Sequence, residues 1–129
     1  MTIHNAVWRA AVALTLMAGT PVAAWAHHSH AMFDDTKNVT IKGAVKSFVY
    51  ANPHVYLFVN VQNSDGSLTD YAVEMSYVQA MMKQGIGPDT FKEGDTISVV
   101  INPLRSGVAG GSYVSAIDVH GQQHGRHGD

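Results

Sequence analysis

The chain has 129 residues, with eight Lys and Arg, ten Asp and Glu, eight His and no Cys. Without cysteine the fold cannot rest on disulfides, and thiolate metal sites, thiol nucleophiles and redox pairs are excluded. A formal charge of −2 argues against a nucleic-acid partner, which rewards a basic stripe, and the length suits one domain with a modest core.

Residues 1–26 have the three parts of a secretory signal. Arg9 and the initiator amine supply positive charge, residues 10–18 are apolar, and Ala24 and Ala26 are the small residues that a signal peptidase reads. The apolar run is about half of the roughly 20 residues that a spanning helix needs, so no membrane span is expected after cleavage. Cleavage after Ala26 predicts a periplasmic or secreted protein that begins at His27, with His28 and His30 close behind. The freed α-amine and the first imidazole can chelate one ion together, and nitrogen donors at this density suit copper, nickel or zinc.

After a polar entry at 34–37, Val39, Ile41, Val45 and Val49 alternate with Thr40, Lys42, Lys46 and Tyr50, the pattern of a long half-buried strand. Gly43 inside it predicts a bulge or sharp bend, and Asn52-Pro53 ends it. From His54 the alternation resumes, with Val55, Leu57, Val59 and Val61 opposite His54, Tyr56, Phe58 and Asn60. Asp65-Gly66 marks a hairpin turn into a third strand over 68–75, whose Tyr71, Val73 and Met75 alternate with Asp70, Ala72 and Glu74. Ser76 is a candidate cap for a helix through about Gln84 that Gly85 stops, and its Met81-Met82 pair reads as core filling. Residues 88–91 suit one more helical turn. A fourth strand is expected over 96–101, a glycine-rich loop over 105–111, and a fifth strand over 113–119. The tail, 120–129, is rich in Gly, Gln and His and is expected to be disordered.

Three strands, a helix and two strands match the five-stranded oligonucleotide/oligosaccharide-binding barrel, with an open β-sandwich as the alternative. In such barrels ligands meet the second and third strands and the loops after the first and fourth. The corresponding parts here are His54, Tyr56 and Phe58, then Glu74, then residues 50–53, and then Arg105 in the glycine loop.

The stretch Ala26-His27-His28-Ser29-His30-Ala31-Met32-Phe33-Asp34, together with Asn52-Pro53-His54, Pro103-Leu104-Arg105 with Gly107, and Gly110-Gly111-Ser112, resembles the small exported bacterial proteins of the domain of unknown function 6152 family. The resemblance covers the whole mature domain and implies a barrel-like β fold, without an activity. His30 stands where that family commonly carries an apolar residue.

Function therefore has to be argued from residues. No Gly-x-Ser-x-Gly elbow, His-Glu-x-x-His helix or phosphate loop occurs, which weighs against an enzyme. The expectation is a periplasmic metal-binding protein, its ion copper, held by His27, His28, His30 and His54. Glu74 is a ligand or an outer acceptor for a histidine, and His120, His124 and His127 form a loose tract that could hold metal weakly. The alternative is a binding module in which Tyr56, Phe58, Glu74 and Arg105 hold a small organic ligand, a saccharide or a partner protein without metal.

Overall fold

The computed structural model describes residues 30–125. The expected cleavage site, His27, His28 and His127 lie outside them. The elements are β1 (Val39–Val49), β2 (Tyr56–Gln62), β3 (Leu68–Glu74), α1 (Val78–Lys83), β4 (Thr96–Pro103), β5 (Gly110–Ile117) and β6 (Gln123–Gly125). The strand order is β3-β2-β1-β4-β5-β6, and β3 also pairs in parallel with β5. That last pairing, Ala72 with Gly110 through Glu74 with Ser112, closes β1 to β5 into a barrel and rules out the open sandwich. One short helix sits between β3 and β4, and β6 lies outside the barrel.

Period-two alternation fills the interior. Val55, Leu57, Val59 and Val73 are fully buried, joined by Met75 just past β3 and by Ile97, Val99 and Ile101 from β4. Phe91, from the turn expected before β4, and Ile86 complete the same cluster. Burial of each such aliphatic side chain contributes roughly 1.5–3 kcal/mol, so this layer is the main source of stability in a chain without disulfides.

The first strand departs from the expected alternation. Ile41 and Val45 are buried, but Val39 and Val49 are 39% and 46% exposed. The register against β2 shifts between Val45 and Ser47, so Lys46 is an extra residue and every side chain beyond it changes face. Phe48 and Tyr50 therefore pack against the core in place of Val49. The bulge lies three residues beyond Gly43, whose own role is close approach: a Cβ there would stand 2.0 Å from the Asn60 carbonyl oxygen.

A second glycine position makes closure possible. Gly110 and Gly111, expected in a loop, open β5, and a Cβ on Gly111 would lie 2.4 Å from the Asn102 carbonyl oxygen. At this seam β5 must fit against β3 and β4 at once.

The helix starts later than expected, and Ser76 does not cap it. The Val78 N–H instead donates to Asn52 Oδ1 at 3.0 Å, so the loop after β1 satisfies one of the free donors at the helix start. At the other end the Gly85 and Ile86 N–H groups donate to the Met82 and Met81 carbonyls, each at 3.0 Å, and both Ile86 and Met81 are buried. The methionine pair thus divides: Met81 fills the core and Met82 is 62% exposed.

The tail expectation is corrected for residues 120–125. β6 pairs with Ser115–Ile117 of β5, and His124 is buried. The segment turns straight back onto the strand before it, and its loose Gly/His composition conceals that pairing.

Candidate functional site

His54 follows the cis Asn52–Pro53 peptide and stands at the entrance to β2. The strand ladder fixes its surroundings: Met75 N–H donates to the Val55 carbonyl at 2.8 Å, and Val55 N–H donates to the Ser76 carbonyl at 3.0 Å. Its ring Nδ1 lies 3.3 Å from the Met75 carbonyl oxygen and 3.5 Å from Glu74 Oε1. The other oxygen of Glu74 accepts the Tyr56 hydroxyl at 3.1 Å, since Tyr56 and Glu74 are directly opposed in the β2/β3 register. Burial, and then the neighbouring Glu74, push the Tyr56 phenol above its ordinary range, so it remains a donor to the carboxylate.

His54 and Glu74 open onto a cleft of about 630 Å³. Asn38, Asn102, Ser112 and Gln84 supply polar lining, and His30 and Asp35 reach the same cleft from the segment before β1. His30 and His54, 24 residues apart in the chain, therefore share one concavity. The elements that hold Glu74, Ser112 and Asn102 are the three strands meeting at the closing seam, β3, β5 and β4.

The segment carrying His30 is tied down. Phe33 is buried and forms a bridge with Leu104, and Asp34 N–H donates to the Pro103 carbonyl at 2.8 Å. Arg105 N–H donates to the Met32 carbonyl at 2.9 Å, and its Nε donates to the Ala31 carbonyl at 3.2 Å. Its terminal nitrogens stand 3.8 Å from Asp34 and Asp35. Thr36, through its hydroxyl, and then Lys37 hold the Asp34 carboxyl down at about 2, keeping it charged as an acceptor. Arg105 is therefore occupied with the entering chain, apart from the His54 and Glu74 group. The loop after β1 is likewise occupied: Tyr50 donates its hydroxyl to the Ile86 carbonyl at 2.7 Å, and Asn52 caps the helix.

Tyr56 and Phe58 stand side by side on β2, with ring centroids 6.1 Å apart and planes 23° from parallel. Beyond them on the same strand Asn60 keeps a buried side-chain oxygen without a hydrogen-bond partner. Phe58 faces two small residues, Ala72 and Ser47, across the ladders and is half-buried.

The remaining histidines lie elsewhere. His120 and His124 border a second cleft of about 380 Å³ with Asp89, Asp95 and Asp118. His124 Nε2 is 2.8 Å from Asp118 Oδ2, both side chains are less than a tenth exposed, and the imidazole meets Phe91 edge-on at 5.7 Å. That hydrogen bond holds Asp118 below the usual carboxylate range. Among the described residues, no three His, Asp or Glu side chains converge closely enough to hold a metal ion.

Several of these partners carry no signal in the chain itself. The Met75 carbonyl and Asn52 act through register and tertiary contact, which no local pattern encodes, and the Asp118–His124 pair forms where β6 turns back onto β5. Glu74 and His54, by contrast, stand on the side of the alternation opposite the core, as the sequence pattern predicts.

No curated protein and no solved structure matches the chain. A family model, described as a family of unknown function (DUF6152), matches residues 14–113, which takes in β1 through β4 and ends within β5. Among the described residues, no helix is long and apolar enough to cross a membrane.

Proposed function

The chain belongs to the family of unknown function DUF6152, and from that premise we propose that it is an exported, periplasmic metal-binding protein whose ion is copper. The ligands are the α-amine and imidazole of His27 in the processed chain, His28 or His30, and His54. One observation carries the reading: His30 and His54 line the same cleft, beside Glu74, with the segment bearing His30 fastened to the barrel by Phe33 and Arg105. A histidine-rich terminus that ends at a cleft holding another imidazole can gather donors from two parts of the chain around one ion. Imidazole and amine nitrogens suit copper(II) best among the available first-row divalent ions.

Copper titration of two forms tests this, one beginning at His27 and one carrying a single extra residue before it. The extension converts the amine into an amide and should weaken binding strongly. Equal binding by both forms rules out amine chelation, and no binding by either rules out the metal role. Intact mass of the protein recovered from the periplasm tests the processing site.

A second reading rests on the half-buried, stacked Tyr56 and Phe58 with Glu74 beside Tyr56. That arrangement suits an apolar ring or sugar face with a hydroxyl near the carboxylate. A saccharide that perturbs Tyr56 and Phe58 in protein unable to bind copper would favour it.

A further inference from the structure

We infer that the folded barrel contributes a ligand atom of its own to the proposed metal site, Nε2 of His54, and that Glu74 and Tyr56 act as positioning residues that hold this imidazole in the ligating tautomer. The ligand role rests on the metal reading above; the tautomer rests on geometry alone.

Two oxygens face His54 Nδ1: the Met75 carbonyl at 3.3 Å and Glu74 Oε1 at 3.5 Å. A carbonyl has no proton to give, and neither has an ionised carboxylate, so the hydrogen on this side belongs to the ring. A neutral imidazole carries one N–H. With that hydrogen on Nδ1, the lone pair is on Nε2, the atom a metal ion needs.

The acceptors are themselves held. Met75 is fixed by its N–H donation to the Val55 carbonyl, and the residue is only 3% exposed. Glu74 is fixed by the Tyr56 hydroxyl, and the Tyr56 ring rests against Phe58. Phe58, Tyr56, Glu74 and His54 thus form a line of contacts running along β2 and β3 to the cleft. The His54 side chain remains 43% exposed while Glu74 is 21% exposed, so the imidazole meets the cleft and the carboxylate stands behind it. A carboxylate behind a ligating imidazole orients the ring and raises its basicity, and loss of such a partner typically weakens metal affinity by about 10- to 100-fold.

Nitrogen-edited spectra of the histidine rings, recorded on the processed apo protein at about pH 8 where an ordinary imidazole is neutral, read the tautomer without any variant. The expected result is an Nδ1–H tautomer for His54. On addition of Zn²⁺ its Nε2 resonance should move. Tyr56→Phe and Glu74→Gln should each shift the tautomer toward a mixture and lower Zn²⁺ and Cu²⁺ affinity, by about 10- to 100-fold for Glu74→Gln, with Glu74→Asp recovering part of the loss. An Nε2–H tautomer in the apo protein, or metal binding that leaves His54 Nε2 unmoved, overturns this inference and leaves the metal reading standing. Absence of binding by the wild-type processed protein overturns the metal reading, and the ligand role of His54 with it.

Discussion

Asn52 caps a helix that begins 26 residues later, its Oδ1 accepting the Val78 N–H at 3.0 Å. The loop after the first strand therefore fixes the start of α1, and Ser76, which stands nearer in sequence, does not. Asn52→Ala should lower stability by about 0.5–2 kcal/mol, as other cap deletions do. Ser76→Ala should change it by less than about 0.5 kcal/mol. Denaturant midpoints of the two variants decide between them; the reverse order would return the cap to Ser76.

The bulge at Lys46 makes an opposite prediction for two valines on one strand. Val45 is 2% exposed and Val49 is 46% exposed. Val45→Ala should cost about 2 kcal/mol, from the lost methyl groups and the cavity they leave. Val49→Ala should stay within about 0.5 kcal/mol. Equal effects would place the register shift elsewhere.

Much of the barrel was legible because alternation is a local property. Val55, Leu57 and Val59 against His54, Tyr56 and Phe58 needed no partner strand to be read, and the order of three strands, helix and two strands follows from turn residues such as Asp65-Gly66 and Gly85. What escaped depends on distant contacts. The register shift falls at Lys46, three residues past the Gly43 that signals a bulge, and no residue type at the site itself marks it. Gly110 and Gly111 look like loop residues until β3 and β4 are seen pressing on them. At the candidate site, His54 and Glu74 were legible as members of one face. For Arg105 the sequence shows only its place in the glycine loop, while its contacts with Ala31, Asp34 and Asp35, some 70 residues earlier, appear only in the fold.

Closure of the barrel at Gly111 can be tested by adding one methyl group. Gly111→Ala sets a Cβ against the Asn102 carbonyl oxygen and should destabilise by about 1–3 kcal/mol or more, as overpacked cores do. Gly87→Ala meets nothing within 4 Å and should be neutral to slightly stabilising. Thermal unfolding of both variants checks the seam; an unperturbed Gly111→Ala would show that β5 can move away from β4.

Acid should act on the fastening of the entering segment late. Asp34 has its carboxyl drawn from 3.8 to about 2, first by the Thr36 hydroxyl and then by Lys37. Because the folded value is depressed, the stabilisation is complete above about pH 4 and disappears as pH falls through about 2. Asp34→Asn should remove this part of the acid dependence. Unfolding midpoints between about pH 2 and 5 measure it, and parallel curves for the two proteins would show that Asp34 is not involved.

β5 divides one of its edges between two partners: Gly110 to Ser112 pair with β3, and Ser115 to Ile117 pair with β6. Without the short last strand, the second half of that edge would present unpaired N–H and C=O groups beside the exposed side chain of Ile117. Such an edge is a template for another chain. Gln123 to Gly125 thus cover this half of the edge, pinned by the His124–Asp118 hydrogen bond and by the Tyr113 hydroxyl, which donates to the His124 carbonyl at 2.9 Å. A chain ending at Val119 should fold yet form larger assemblies than the full chain at the same concentration, which light scattering would detect. The concentration at which this protein can be kept in solution would then be set by three residues of strand at its far end.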